Sequence, residues 1–569
     1  MRFDKLGKKP NILILLNDQQ RYERDWPLDW AAKHLPAMHR LKRHGLSFRN
    51  AFIAACACSP SRASLLTGTY SSQTGVLHTL VMPGDGSNGD APAGYSQQPL
   101  LPSQPNLARM LKTAGYKVVW KGKWHVSLPV NGTNHWTADD IVYMREAYGF
   151  NDWNPNDAGN SIAEYTTLGG GDFYNNDARF VAGVRLCGDQ NSPPAESAVE
   201  FLRTYDASDG PFCLVVSIVN PHDIWVAPGF ANDSGYTAGM GSEFGLPIPQ
   251  NVGEDLATKP LAQGVFRANY NAVTVKEFGR SKSLKLPVNQ SNYVNFYAYL
   301  QTLADRHVMS ILNELETRGL TDSTLIVRLA DHGEMAMAHG LREKMYNAYE
   351  ETMHVPLIVS NPVLFPEPQE TEALVSLVDI LPTLARIAGV YELFDYVFRG
   401  VDLTPVLEEP AQRVQDLVHF CYDDGYLPGD VPPYIRAIRT DDWLYAVYFN
   451  TLGSSFEYEM YNVKVDPYEN TNLAGTAEHA HQLRMLHTKL QEKMQSAGTA
   501  PAGIPLVSPQ LEAEAKKTDD SSLIPDIHWP TAHEAVEQSR KQRHRQRPDF
   551  TKLAGKLTHR GFWMAQARS

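Results

Sequence analysis

Cysteine is scarce in this chain, with five in 569 residues: Cys56, Cys58, Cys187, Cys213 and Cys421. An odd, sparse set without Cys-x-x-Cys spacing argues against a disulfide scaffold or a thiolate-rich metal site. A reducing compartment is the simpler setting, so a cytoplasmic location is expected. Long apolar runs are missing as well. Residues 12–16 form a run shorter than a signal-peptide core, followed at once by Asn17-Asp18-Gln19-Gln20. No stretch approaches the roughly twenty apolar residues of a membrane-spanning helix. Positive charge is in deficit, with 52 Lys and Arg against 64 Asp and Glu and a formal net charge of −12. That balance argues against a nucleic-acid partner, because a phosphate backbone attracts basic surfaces. It leaves small anionic ligands open, since local site charge can oppose global charge. Internal repeats are also absent.

What is present is an ordinary globular composition, 43% hydrophobic and 20% charged, in a chain long enough for two or more structural units. Residues 12–16, 116–120, 212–219 and 324–327 read as buried strands, and residues 106–112, 195–205 and 293–317 as helices. The last helix repeats Leu300, Leu303, Val308, Ile311, Leu312 and Leu315 at helical spacing and stops at Gly319. Such alternation predicts an α/β fold over residues 1–402, with a mostly parallel sheet covered by helices on both faces. Residues 375–388 read as a further helix. Residues 434–439, 443–448 and 457–461 read as antiparallel strands and residues 477–494 as a helix, which predicts a small α+β subdomain over residues 403–498. Residues 499–569 form an extended tail, first rich in Pro, Ala and Ser and then basic. Its apolar end, Gly561-Phe562-Trp563-Met564, is expected to pack on the body or on a second subunit, hence a dimer or tetramer. Residues 131–191 and 228–258 read as loop insertions that set specificity.

Four of the predicted strands run directly into ionisable loops: Asp18-Gln19, then Lys121-Gly122-Lys123-Trp124-His125, Asn220-Pro221-His222-Asp223 and Asp331-His332-Gly333. In open α/β sheets ligands bind outside the carboxyl ends of the strands, so four such loops can converge on one site. A single strand-end Asp is more often a cap, and a single Lys a solvated residue. Two Asp at separate strand ends, each beside a second ligand-capable residue, favour a divalent cation held by Asp18, Gln19, Asp331 and His332.

The run Cys58-Ser59-Pro60-Ser61-Arg62-Ala63-Ser64-Leu65-Leu66-Thr67-Gly68 resembles the signature of type I sulfatases. The spacing from Asp331 to Lys344 is similar to that family too, as is Tyr349-Glu350-Glu351-Thr352-Met353-His354-Val355-Pro356-Leu357-Ile358-Val359. Together the motifs span about residues 10–390, and more loosely residues 443–474. The pairs Asp18-Gln19 and Asp331-His332 resemble the choline-sulfatase and phosphonate monoester hydrolase branches. One departure is His78-Thr79, where those branches usually carry an Asn; either residue is a candidate contact for a substrate oxygen.

The resemblance implies an alkaline-phosphatase-like α/β fold and one divalent ion, Ca2+ in the first place with Mn2+ or Mg2+ as alternatives. It implies that a formylglycine-generating enzyme oxidises Cys58 to formylglycine, whose hydrate is the nucleophile. Arg62, Lys123 and Lys344 would stabilise the anionic transition state. His222, with Lys344 beside it, would protonate the leaving oxygen, and His125 would act as base. The expected reaction is hydrolysis of a small anionic ester, an aryl or alkyl sulfate, with release of sulfate. Hydrolysis of a phosphonate monoester or phosphodiester at the same site is the alternative. From another class, a non-catalytic anion-binding relative would keep Cys58 as a thiol. A choline ester would call for an aromatic cage, for which Trp136, Trp153, Tyr165 and Tyr174 are candidates.

Overall fold

The computed structural model describes residues 2–6, 9–24, 26–81, 97–132, 136–154, 157, 176–185, 196–227, 236–237, 239–425, 427, 431–450 and 455–501. Three fully buried strands, β1 (Asn11–Asn17), β4 (Phe212–Ile218) and β5 (Thr324–Ala330), form its centre. They belong to a seven-stranded sheet completed by β2 (Gly45–Phe52), β3 (Lys117–Gly122), β6 (Leu357–Ser360) and β7 (Gln369–Ser376), in the order β3-β4-β1-β5-β6-β2-β7. All neighbours pair in parallel except those of β6, which runs antiparallel between β5 and β2. Six of the seven strands therefore end on the same edge of the sheet.

Alternate side chains of a strand face opposite sides of the sheet, and both sides are covered. Ile12, Ile14 and Leu16 enter a core shared with the helices Cys58–Thr67, Leu107–Thr113 and Ile380–Ile387. Leu13 and Leu15 enter a second core against Pro287–Thr317 and Ala198–Thr204. Each side chain buried this completely contributes about 2 kcal/mol by leaving water.

The second sheet is antiparallel, β11-β10-β9-β8, built from β8 (Val418–Tyr422), β9 (Tyr434–Arg439), β10 (Trp443–Phe449) and β11 (Phe456–Asn462). On β10, Leu444, Ala446 and Tyr448 pack into the first core, while Tyr445, Val447 and Phe449 meet Leu486, Leu490 and Met494 of the helix Ala480–Ala497. The Cys421 amide donates to the Ala54 carbonyl at 2.9 Å, tying β8 to the segment between β2 and Cys58.

The sequence reading needs correction in several places. Strands β2, β6, β7 and β8 and the helix Leu261–Phe278 were not anticipated; in β2, Arg49 and Asn50 interrupt the apolar pattern, and Arg49 is spent on Glu370 and Glu372 of β7. The helix expected over residues 375–388 begins later, because Val375 and Ser376 finish β7. Asp379 then accepts the Ser376 amide at 2.7 Å and the Val401 amide at 2.7 Å, which fixes the entry to Ile380–Ile387. Residues 131–191 are more than loop, since their described part includes the helices Ala138–Tyr143 and Asn176–Ala182. The tail from residue 502, its apolar end and the expected oligomer contact lie outside the described residues.

Gly122, at φ +90°, closes β3, and a Cβ there would overlap the Ser217 carbonyl oxygen. Gly122→Ala is expected to cost about 2–4 kcal/mol in urea unfolding, through strain and displacement of the loop that follows.

Candidate active site

The sheet register delivers the site. The ladder continues one bond past three strands: the Lys123 amide donates to the Ser217 carbonyl at 3.0 Å, Asp18 to Ile218 at 3.0 Å and Asp331 to Asn17 at 3.1 Å. Lys123, Asp18 and Asp331 therefore follow their strands at one level along the sheet edge. Cys58 arrives from β2, six residues beyond its end, as the first residue of the helix Cys58–Thr67. Ser61 of that helix donates to the Asp331 carbonyl oxygen, and Gly68 at φ +66° closes the helix.

Cys58 is 2% exposed. Its Sγ lies 3.2 Å from His332 Nε2, 3.7 Å from Asp18 Oδ1 and 3.7 Å from Lys123 Nζ. Burial and Asp18 push its thiol up, but Lys123, Lys344 and His332 prevail and bring it below the ordinary cysteine value. A helix N-terminus adds favourable partial positive charge for an anion. Cys56, two residues earlier, has no such set of cations; burial raises it well above the usual thiol range.

Arg62, one turn along from Cys58, is fully buried and joins the two carboxylates. Its Nη2 donates to Asp18 Oδ2 at 3.0 Å and its Nε to Asp331 Oδ2 at 2.8 Å. Its Nη1 donates to Ser217 Oγ and the Lys123 carbonyl. These donors are spent on the frame, so Arg62 positions the centre from behind. Lys123 Nζ pairs with Asp18 Oδ2 at 2.6 Å. Burial opposes the Asp18 charge, yet Lys123, His222, Arg62 and His332 together hold its carboxyl well below the usual carboxylate range.

With the outer oxygens taken by cations, Asp18 Oδ1 and Asp331 Oδ1 face His332 Nε2 at 3.6 and 3.7 Å. Ligand atoms of Asp18, Cys58, Asp331 and His332 all lie within 4.8 Å of one another. Two carboxylates and an imidazole at this spacing fit a hard divalent cation. His332 Nδ1 faces the Gly333 carbonyl at 3.0 Å, which fixes that nitrogen as the donor of a neutral ring and points the Nε2 lone pair at the gap. Burial opposes a charged ring, but Asp331 and Cys58 raise His332 to about 9; metal ligation requires the neutral form instead.

Gln19, at φ +65°, is turned toward a different set of partners. Its Oε1 accepts from Lys344 Nζ at 2.7 Å, and its Nε2 donates to Glu334 and to Glu343 at 3.2 Å. The loop carrying Lys344 holds Ala336, Met337, His339, Glu343 and Tyr346 at positive φ, each costing on the order of 1 kcal/mol or more. Glu334 Oε1 holds it in place by accepting the Ala336 amide at 3.0 Å, the Glu343 amide at 2.9 Å and the Tyr293 hydroxyl at 2.8 Å. Burial and Glu343 raise Glu334. Glu343, against its own burial, is lowered by Lys344 and Arg342.

Both expected proton carriers are buried beside this centre. His125 Nε2 donates to the Leu80 carbonyl at 2.8 Å, leaving Nδ1 without a hydrogen-bond partner among the described residues. Burial and Lys123 lower its pKa well below 6.5, so the ring is neutral and Nδ1 carries a lone pair. His222 Nδ1 is likewise unpartnered among the described residues, and burial with Lys123 and Lys344 keeps that ring neutral too. Leu80 donates its amide to Ser59 Oγ at 3.0 Å, which brings the neighbouring Thr79 against the start of the Cys58 helix. His78 turns toward Asp424, 3.5 Å away. Trp136 and Trp153 pack on each other edge to face at 5.0 Å inside the first core, and Tyr165 and Tyr174 lie outside the described residues.

Several positioning residues escaped the sequence reading. Asp157 accepts the Trp124 and His125 amides, each at 2.7 Å, and Asp177 accepts those of Val219 and Asn220 at 2.8 and 3.0 Å. Both lie in the segment expected to be loop, where an isolated Asp gives no signal. Glu334, directly after Asp331-His332-Gly333, could have been found by its adjacency.

The sulfatase family model matches residues 10–390, and the model of the N-sulphoglucosamine sulphohydrolase C-terminal region matches residues 338–496. The chain belongs to the sulfatase family. It is a sulfuric ester hydrolase. Among similar proteins are an N-acetylglucosamine-6-O-sulfatase of Bacteroides thetaiotaomicron, 25% identical over 85% of this chain and 86% of its own length, and a choline-sulfatase of Rhizobium meliloti, 27% identical over 82% of each chain. This sulfatase shares its fold with a solved complex containing the substrate D-glucosamine-2-N,6-O-disulfate (TM-score 0.62, 22% identity, 87% of this chain and 99% of that one). It also shares it with the phosphonate monoester hydrolase of Agrobacterium radiobacter (TM-score 0.58, 20% identity, 86% and 96%).

Arg62→Ala would leave Asp18 and Asp331 buried without their shared partner, an expected loss of about 3–5 kcal/mol in denaturant unfolding of the metal-free protein. Arg62→Lys should recover little of it, because one ammonium cannot make the two-sided contact.

Proposed function

We propose that this sulfatase hydrolyses a sulfate monoester of a sugar at Cys58, with that residue matured to formylglycine and one divalent cation, Ca2+ in the first place, held by Asp18, Asp331 and His332. The observation that carries the reading is the placement of Cys58 Sγ, at a helix N-terminus within 3.7 Å of Asp18, Lys123 and His332. The hydrate of formylglycine carries two hydroxyls on one carbon, so one can attack sulfur and deprotonation of the other can expel sulfate, a second step closed to serine or cysteine. The cation supplies Lewis-acid charge for the sulfate oxygens.

The chain's own residues do the rest. Lys123 and Lys344 neutralise an anionic ester in a site closed to water, where their charge acts strongly. Burial opposes the charge on Lys344; in the unmodified chain Cys58 and Glu343 raise it well above the ordinary lysine value, and Glu343, paired with it at 3.1 Å, still favours the ammonium once residue 58 is formylglycine. His125 Nδ1 accepts a proton. His222 is neutral while the site is empty of anions; a sulfate ester between Lys123 and Lys344 offsets the cations that depress it and makes it a better proton donor to the leaving oxygen. Thr79 is the candidate hydroxyl for a substrate oxygen, and His78, turned to Asp424, is the weaker one. The sugar ester is favoured by the relative named for N-acetylglucosamine 6-sulfate, and the mutual packing of Trp136 and Trp153 removes two members of the cage a choline ester would need. A phosphonate monoester or phosphodiester suits the same cationic clamp, and the ratio of kcat/KM for an aryl sulfate to that for an aryl phosphonate decides between them.

Cys58→Ala is expected to lower turnover of 4-nitrophenyl sulfate by about a thousand-fold or more with a preserved thermal unfolding profile. Mass spectrometry of the peptide spanning residue 58 tests the maturation directly; a thiol throughout active, natively expressed protein would overturn the nucleophile assignment. Asp331→Ala should weaken divalent-cation binding by at least about a hundred-fold in calorimetry. Because His125 stays unprotonated until well below pH 6.5, the acidic limb of the kcat/KM profile should fall below that pH, and His125→Ala should remove activity across the profile rather than move the limb.

A further inference from the structure

The backbone of the proton acceptor is held by a carboxylate from another segment. His125 stands at φ +58°, in the left-handed region that residues other than glycine adopt only where their surroundings enforce it. Its amide and that of Trp124 both point at Asp157. Trp124 donates to Oδ1 and His125 to Oδ2, each at 2.7 Å. Consecutive amides that converge on one anion form a concave nest, which the main chain builds around negative charge.

Other bonds pin the loop on either side of the nest. The Lys123 amide continues the β3 ladder onto the Ser217 carbonyl at 3.0 Å, and the Val126 carbonyl accepts the Leu100 amide at 2.9 Å. The His125 ring itself is tied at one end only, by Nε2 to the Leu80 carbonyl at 2.8 Å. Its Nδ1 is buried and has no hydrogen-bond partner among the described residues, so the backbone from which the ring springs sets where it points. Asp157 is what fixes that backbone.

Charge is the essential property of this contact. Asp157 is 3% exposed. Burial pushes its carboxyl up to about 6, while the Trp124 and His125 amides, Lys123 and Arg62 favour the ionised form. Those two cations, from the loop after β3 and from the helix Cys58–Thr67, are the charged groups that act on it most strongly. His125 is held well below 6.5 by burial and Lys123. As pH falls, Asp157 takes up a proton while the ring is still neutral. A protonated carboxyl carries a hydroxyl on one oxygen, so one of the two amides loses its acceptor and the nest loses its anion. Because the folded value lies above the ordinary carboxyl range, this protonation does not by itself favour unfolding, and the change stays local.

We propose that Asp157 is a positioning residue of the hydrolysis: its negative charge holds the His125 backbone in the left-handed turn that presents Nδ1 to the centre, and loss of that charge stops turnover ahead of any change in the histidine itself. The inference rests on His125 as the proton acceptor and adds what keeps that acceptor in place. The acidic limb of the activity profile then reports a carboxyl that never touches the substrate.

The experiment follows kcat and KM for 4-nitrophenyl sulfate between about pH 8 and about pH 5 in the wild-type protein, Asp157→Asn, Asp157→Glu and His125→Ala, with melting curves for each. Wild-type kcat is expected to fall below about pH 6. Asp157→Asn keeps the size but turns an amide N–H2 toward one of the two backbone donors. It should lower kcat near neutral pH by about ten- to a hundred-fold, with KM within about two-fold, and leave the remaining kcat level where the wild type falls. Asp157→Glu restores the charge and should recover part of both the rate and the fall. Added to His125→Ala, Asp157→Asn should change the residual turnover by less than about two-fold, because the ring it acts through is gone. Wild-type kcat that stays level to about pH 5 would overturn the proposal, a result that needs no variant to fold. So would a folded Asp157→Asn with wild-type kcat, or one whose full loss recurs on top of His125→Ala. Failure of the underlying reading looks different: His125→Ala alone would turn over at the wild-type rate.

Discussion

Two carboxylates with no solvent exposure, Asp18 and Asp331, are the constraint around which this protein is organised. Charges taken out of water are costly unless each is paired and hydrogen-bonded. Arg62 meets both with one rigid fork, Lys123 shares the outer oxygen of Asp18 with it, and the backbone amides of Gln19 and His332 donate to Asp331 Oδ1. The inner oxygens stay turned toward His332 and Cys58. The same pairs that make the burial tolerable also aim the ligand atoms at one gap.

The sheet sets the distances. Parallel strands in register end at one level, so residues that follow them emerge side by side without any contact between the loops themselves. A further layer of buried carboxylates then holds the loops. Asp157 fixes the backbone of Trp124 and His125, Asp177 that of Val219 and Asn220, and Glu334 the strained turn before Lys344. Each carboxylate accepts at least two amides, a preorganisation that lets the neighbouring side chains act without rearranging.

Net charge and site charge have opposite signs here. The chain is acidic, yet Lys123, Lys344 and Arg62 crowd one end of the sheet. An acidic chain with a cationic interior suits a small anion that leaves bulk water to bind, and not an extended polyphosphate backbone lying on the surface.

By itself the sequence determined the chemistry-bearing types and their order: Cys58 with Arg62 one turn on, Asp18 and Asp331 after apolar strands, His125, His222 and Lys344 in the loops between. Those features are local, a run of residues beside a strand whose apolar stretch is legible from its own composition. Only the tertiary structure decided which of them meet. It brought Cys58 in on a strand, β2, that Arg49 and Asn50 disguise, turned the Gln19 amide toward Lys344, spent Arg62 behind the centre, and recruited Asp157 and Asp177 from a stretch read as loop. The reason is physical. Register and the pairing of buried charge depend on residues hundreds of positions apart, and a lone Asp in a polar segment looks the same whether it caps a turn in water or holds a histidine loop in the core.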